Sequence, residues 1–409
     1  MTGLDSSKAS GLPGAPPSEH AARIPKTIGY YVAFITLGLA SASLGPTLPG
    51  LAEHTQSRLA QISSLFVARS LGYLAGSLLG GRLYDRTPGH PVMAAGILLM
   101  AGMLALAPLV PWLWVLIAVI LTLGLAEGAL DVGGNTLLVW VHLEKVAPFM
   151  NGLHFFFGVG AFLSPLIIAR VMLRGGGILQ AYWVLAALLL PGALWLLYLS
   201  SPFLPTGPSD GSTGRPNRRL VALVVLFFFL YTGAEVAFGG WIFSYAVALR
   251  LSSDAAAAYL TSAFWGAVTA GRLLAIPLAV RLPTRRVLLA DFVGCLASLG
   301  VLILGSNSLL ATWVGTCGVG LFMASIFPAA LSLAQERMPI TGQVTGWFFV
   351  GASGGGMFLP WLIGQFFESV GPRITMVILF IDMAAALAVL AVLTFLSARP
   401  VYHWITGDR

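Results

Sequence analysis

Charge is scarce in this chain. Of its 409 residues only 9% are Asp, Glu, Lys or Arg, against 57% that are hydrophobic. So little polar surface excludes a soluble globule of this length and points to a polytopic membrane protein. Cysteine is nearly missing as well: Cys295 and Cys317 are the only two, both inside apolar runs, which excludes a disulfide framework and a metal-ligand cluster. No glycine-rich stretch ends in Lys-Ser or Lys-Thr. The run "GASGGG" (351–356) lacks that ending and any preceding strand, and small residues in a membrane helix serve close packing or bending. Neither Ser/His pairs, metal-ligand spacings nor paired carboxylates at catalytic spacing occur, so the chain is not expected to be an enzyme or to carry a cofactor. The absence of any Asn-x-Ser/Thr sequon, with short loops, fits a bacterial inner-membrane protein.

What is abundant is apolar length. A membrane span needs roughly 20 apolar residues, and twelve segments qualify, at 28–49, 59–83, 91–109, 112–142, 147–172, 177–200, 219–248, 255–281, 286–305, 308–334, 342–368 and 374–397. Residues 1–27 are rich in Pro, Gly, Ser and Ala and read as a disordered cytoplasmic arm. The polar, turn-forming stretch at 202–218 divides the chain into bundles over 28–201 and 219–398, with a cytoplasmic tail at 399–409. With both termini cytoplasmic, fifteen Lys and Arg fall inside and five outside. The net charge of +7 is therefore a topology signal, and no nucleic-acid partner is implied. An integral plasma-membrane protein is expected, acting as a monomer among bilayer lipids.

The two bundles repeat one another. Gly72 precedes "RLYDR" (82–86) by ten residues, as Gly271 precedes "RLPTR" (281–285), and "NGLHFFFGVGA" (151–161) overlays "TGWFFVGASGG" (345–355). Two copies of a six-helix unit predict an all-α, pseudo-two-fold membrane fold with a midplane site between the halves, the plan of alternating-access carriers.

Polar residues inside the spans mark that site. In "GLAEGALDVGGN" (124–135), Gly124, Glu127, Gly128, Asp131 and Asn135 share one face of a helix, and its glycines leave room for a neighbour or a ligand. A charged carboxylate at mid-bilayer costs about 2.5–3.5 kcal/mol on insertion scales, so both acids should face protein or a water-filled cavity. Each is either a coupling-ion ligand or a static partner of a base. Arg69, near the middle of the second span, is the natural base, and pairing with Asp131 in one state of a transport cycle is expected. His154 and Asn151 share a stripe with small residues in the fifth span, and with Asn135 are candidates for substrate hydroxyls or for hydrogen bonds within the core. Glu235, on a face with Tyr231 and Thr232, suits two hydroxyls of a polyol. Thr261, Trp265 and Arg272 share a stripe, where Trp265 has the ring to stack on a sugar and Arg272 the charge to pair with Glu235. Trp241 and Trp347 are further aromatic candidates, although tryptophans near span ends more often anchor at the interface. Asp291 and Asp382 lie within a turn or two of span ends and need no coupling role.

The loop "GRLYDRTPGH" (81–90) resembles the signature of the major facilitator superfamily, whose role implies gating by Gly81, Asp85 and Arg86. A narrower resemblance, carried by "LGPTLPGLA" (44–52), "SSLFVARSLGYLAGSLLGG" (63–81), "LDVGGNTL" (130–137), "LHFFFGVGAFLSPLI" (153–167) and "YTGAEVAFGGW" (231–241), is to the sodium-dependent glucose transporter-like branch, near the fucose:proton symporters. It implies uptake of a monosaccharide such as glucose coupled to a cation, with the acid of the fourth span at Asp131. The fucose symporters pair that acid with one in the first span. Here "GLASASLGP" (38–46) has none, and Glu127 is the candidate to stand in. Protons are the first choice of cation, because Glu127 and Asp131 can titrate; sodium stays open. An exporter of amphipathic molecules and a non-transporting sensor are the alternatives.

Overall fold

The computed structural model describes residues 17–202, 217–338 and 342–395, and among these every regular element is helical. The first half comprises α1 (Pro17–Ser41), α2 (Leu44–His54), α3 (Leu59–Ile62), α4 (Ser64–Tyr84), α5 (Gly89–Leu106), α6 (Leu113–His142), α7 (Ala147–Leu173) and α8 (Ile178–Tyr198). The second comprises α9 (Arg218–Ala248), α10 (Asp254–Arg281), α11 (Thr284–Leu304), α12 (Leu309–Met323), α13 (Ile326–Gln335), α14 (Gly342–Phe367) and α15 (Ile374–Phe395). Helices satisfy their own backbone polar groups, which is the condition for crossing a bilayer. Large side chains such as Leu78, Trp114, Leu304 and Leu310 stand exposed on outer faces, where a soluble protein would bury them.

Ten helical segments are long and apolar enough to span, or eleven when the bent α1–α2 pair counts as one. All twelve expected segments fall on helices; the one that does not reach span hydropathy is α10, whose run of alanines is interrupted by Thr261, Ser262, Thr269 and Arg272. Two expectations about the N-terminus are corrected. Helix α1 reaches back to Pro17, so the arm expected over 1–27 is helical from that residue on. The first span is also not one rod, because α1 and α2 meet at 43° across Ala42 and Ser43. Pro46 explains the bend: it has no N–H for the Ala42 carbonyl, and its ring crowds that carbonyl. Most of the expected linker, and the tail at 399–409, lie outside the described residues.

Glycine sets the packing. A Cβ on Gly72 or Gly76 of α4 would collide with the backbone of Leu121 or Leu125. One on Gly124 or Gly128 of α6 would collide with the carbonyls of Arg69 or Tyr73. The two helices thus run parallel in direct backbone contact, the arrangement small residues permit in membranes. The room that glycines leave on the 124–135 face is filled by this neighbour. The repeat carries the same seam, since Gly271 of α10 lies against the Leu321 carbonyl of α12. Likewise α7 packs on α1 through Gly160 and the Ile35 carbonyl, and α14 on α9 through Gly355 and the Phe229 carbonyl.

Between the halves, α2 meets α9 where Gly45 abuts Gly239 and Gly240, and α7 meets α10 where Gly158 abuts Thr269. The Ser262 hydroxyl also donates to the Phe162 carbonyl at 3.0 Å. One end of the seam is shut. There Gln365 Nε2 donates to Ala60 O at 2.9 Å, the Leu59 N–H donates to Glu368 Oε1 at 3.1 Å, and Gly364 sits against Ser63. At the other end Asp85 and Arg86 are exposed, no ion pair of either is found among the described residues, and Gly81 faces open space.

Candidate functional site

The parallel contact of α4 with α6 generates a ladder of polar pairs, each 58 residues apart in sequence. At the first rung Arg69 grips Glu127 with two parallel bonds, Nε to Oε2 at 2.8 Å and Nη2 to Oε1 at 2.9 Å. The same guanidinium reaches the end of α1, where Nη1 donates to Ser41 O at 2.9 Å and Nη2 to Ser41 Oγ at 2.6 Å. Glu127 is 1% exposed and sealed behind this base. At the second rung the Tyr73 hydroxyl donates to Asp131 Oδ2 at 2.5 Å. Asn135 spends its amide N–H groups on the Asp131 carbonyl and Oδ1, at 2.9 and 3.2 Å. Asp131 is only partly buried.

The expected Arg69–Asp131 pair is therefore replaced in this state by Arg69–Glu127. Helical periodicity put both acids on one face, but the glycine seam decides which rung the arginine occupies. Of the two carboxylates Asp131 is the less buried. Asn135 serves Asp131, which leaves its carbonyl oxygen as the atom free for a ligand.

The second half contributes a looser group. Arg272 Nη2 lies 3.6 Å from Glu235 Oε1, close enough for charge attraction but beyond a hydrogen bond. Glu235 Oε1, Thr232 Oγ1, Thr261 Oγ1 and Trp265 Nε1 are buried without a hydrogen-bond partner. Such groups cost about 1–3 kcal/mol each when left unmet in a folded protein, and all four lie on α9 and α10. The Trp265 ring stands edge-on to Phe157 of α7, 6.4 Å between centroids, and lies against Gly239. His154 of α7 is exposed beside Phe34. Asn151, one turn earlier, is exposed and makes no hydrogen bond among the described residues.

Two aromatic candidates separate from this group. Trp241 is fully buried, its Nε1 donates to Pro360 O at 2.9 Å, and its ring packs on Phe66 and Phe367 at the shut end, so it offers no face to a ligand here. Trp347 is 52% exposed in the first turns of α14, away from the shut end. Asp291 and Asp382 are both buried about two turns into their helices, and Asp291 accepts from Ser325 at 2.5 Å. Sequence reasoning missed Tyr73 and Ser41. Tyr73 was findable, because it follows Arg69 by the four residues that separate Asp131 from Glu127; Ser41 had only the nearby Pro46 as a signal. No group of three or more His, Cys, Asp or Glu side chains gathers among the described residues.

Comparison with known proteins agrees with this architecture. Residues 30–360 match the family described as the Major Facilitator Superfamily. The chain is 34% identical to sodium-dependent glucose transporter 1 of Xenopus laevis, over 80% of this chain and 72% of that one. Against the Homo sapiens protein of the same name the identity is 30%, covering 92% and 80%. Major facilitator superfamily domain-containing protein 4A of Homo sapiens is 29% identical over 84% of this chain and 87% of its own. Among solved structures, a mutant of the nucleoside transporter NupG superposes with a TM-score of 0.74 at 13% identity, over 90% of this chain and 99% of that one. A bacterial homologue of the human lysosomal transporter Spinster gives 0.67 at 14%, over 94% and 98%.

Proposed function

Because the chain belongs to the major facilitator superfamily of transporters, we propose that it is a secondary active carrier that brings a monosaccharide, glucose or a related hexose, inward with a cation by alternating access. The observation that carries this reading is a partly buried carboxylate, Asp131, in the first half together with hydrogen-bond-free polar atoms of Glu235, Thr232, Thr261 and Trp265 in the second. Carboxylate, hydroxyl and indole N–H groups around an aromatic ring suit a polyol. His154 and the Asn135 carbonyl complete its binding surface from the first half. The names of the relatives add glucose as substrate and move sodium ahead of the proton as coupling ion.

Twelve spans, both termini cytoplasmic and residence in the plasma membrane, or the inner membrane of a bacterium, belong to the same proposal. In that orientation the end shut by Gln365, Glu368 and Trp241 faces outward, and the end carrying Gly81, Asp85 and Arg86 faces the cytoplasm. The protein works as a monomer in the bilayer.

Uptake of labelled glucose into proteoliposomes, under sodium and proton gradients imposed separately, tests the reading. Accumulation driven by one of the gradients, reduced to passive exchange by Asp131→Asn, is expected. No accumulation under either gradient by folded protein overturns it.

A further inference from the structure

The Arg69 guanidinium is a cation enclosed by four oxygens: Ser41 O, Ser41 Oγ, Glu127 Oε1 and Glu127 Oε2, all at 2.6–2.9 Å. Their origins are unusual for a simple ion pair. Ser41 is the last residue of α1 before the 43° bend, so its carbonyl belongs to the negative end of a helix dipole in the middle of a span. Glu127 comes from another helix and is shut off from solvent. A carboxylate, a hydroxyl and the carbonyl end of a broken membrane helix form the hard oxygen set that alkali cations take in carriers.

We propose that these oxygens are a sodium site, filled by the side chain of Arg69 when sodium is absent and vacated when the ion arrives. The proposal rests on the reading of the protein as a cation-coupled carrier and assigns the cation to Ser41 and Glu127. Asp131 then has a defined part. It lies one turn from Glu127 on the same face and receives the displaced guanidinium, so that both carboxylates have a positive partner after the exchange, where only Glu127 has one before it. The exchange also acts at the right place. Beyond Ser41 the chain continues as α2, whose Gly45 rests on Gly239 and Gly240 of the opposite half. A change of cation at the bend therefore falls on the piece of the first span that joins the two bundles, four residues of α9 away from Glu235.

The test needs no sugar. Thermal unfolding of the purified protein in detergent is followed while sodium chloride replaces N-methylglucamine chloride at constant ionic strength. Wild type is expected to gain stability with sodium in a saturable manner. Arg69→Met removes the competing internal cation and should lower the half-saturating sodium concentration tenfold or more. Glu127→Gln should abolish the sodium response, and Asp131→Asn should raise the half-saturating concentration, because the displaced arginine loses its destination. A sodium response that Glu127→Gln leaves intact overturns the site. So does an Arg69→Met protein whose half-saturation is unchanged or raised, which decides the matter even if Glu127→Gln does not fold. The sodium response with no glucose uptake overturns the sugar reading alone. Sodium-driven glucose uptake in a protein whose sodium response ignores Ser41→Ala, Arg69→Met and Glu127→Gln overturns the site alone.

Discussion

Tyr73 stands to Asp131 as Arg69 stands to Glu127: the same separation of 58 residues, the same pair of helices, one turn further along. One rung is a closed ion pair and the other a neutral donor on an accessible acid. The register that makes the first also makes the second.

Removal of the tyrosine hydroxyl tests the second rung. Tyr73→Phe leaves the aromatic packing and withdraws a charge-assisted bond, a class worth about 1.5–3 kcal/mol. Maximal cation-driven uptake should fall roughly tenfold or more on that scale, while the purified protein keeps a cooperative thermal transition. Uptake kinetics in proteoliposomes, alongside the unfolding curve, check both halves of the expectation.

Close helix contact makes its own forecast. Gly128→Ala places a methyl group in the Tyr73 carbonyl and should destabilise by about 1–3 kcal/mol, the usual cost of overpacking. Gly81→Ala meets nothing within 4 Å and should leave stability within about 0.5 kcal/mol of wild type. Detergent unfolding midpoints of the two variants are the measurement.

Trp265 and Trp241 should fail differently. Trp265→Phe deletes an unmet indole N–H and should raise the sugar KM by about tenfold, the worth of one hydrogen bond to a neutral group, with little change in maximal rate. Trp241→Phe deletes the bond to Pro360 O at the shut end and should change maximal rate more than KM. Initial uptake rates over a range of sugar concentrations separate the cases.

A further expectation concerns the shut end itself. Gln365→Ala removes the bonds from α14 to Ala60 and Ser63. In a background with Cys317→Ala, a cysteine placed at Ser70 should then react faster with a membrane-impermeant maleimide added from the α3 end. Equal labelling with and without Gln365→Ala would show that these bonds do not hold that end closed.

Much of the molecule was legible before any coordinates. Hydropathy marked the spans, the glycine spacings marked the repeat, and the 100° step placed Glu127 and Asp131 on one face. Periodicity carries no information about which residue of a neighbouring helix lies opposite, so it does not say which acid Arg69 holds in this state. That choice depends on Gly72 and Gly76 seating against Leu121 and Leu125, a tertiary contact. The bend after Ser41 hid for another reason: the apolar run continues unbroken through Gly45-Pro46, so composition registers one span where the backbone has two helices. Trp241 followed the same logic, since whether an aromatic ring meets a ligand or Phe367 is fixed by helices more than a hundred residues away.

The backbone contact of α4 with α6 also restricts what kinds of change this protein can tolerate. With no side chains between the two helices at Gly72, Gly76, Gly124 and Gly128, neither can slip or turn against the other. Deleting one residue from the middle of either helix would rotate everything beyond it by about 100°. The glycines would leave the seam, and Glu127 or Asp131 would swing toward lipid together with its neighbours. Point substitutions on the rungs leave that frame standing, whereas a change of length dismantles every rung beyond it.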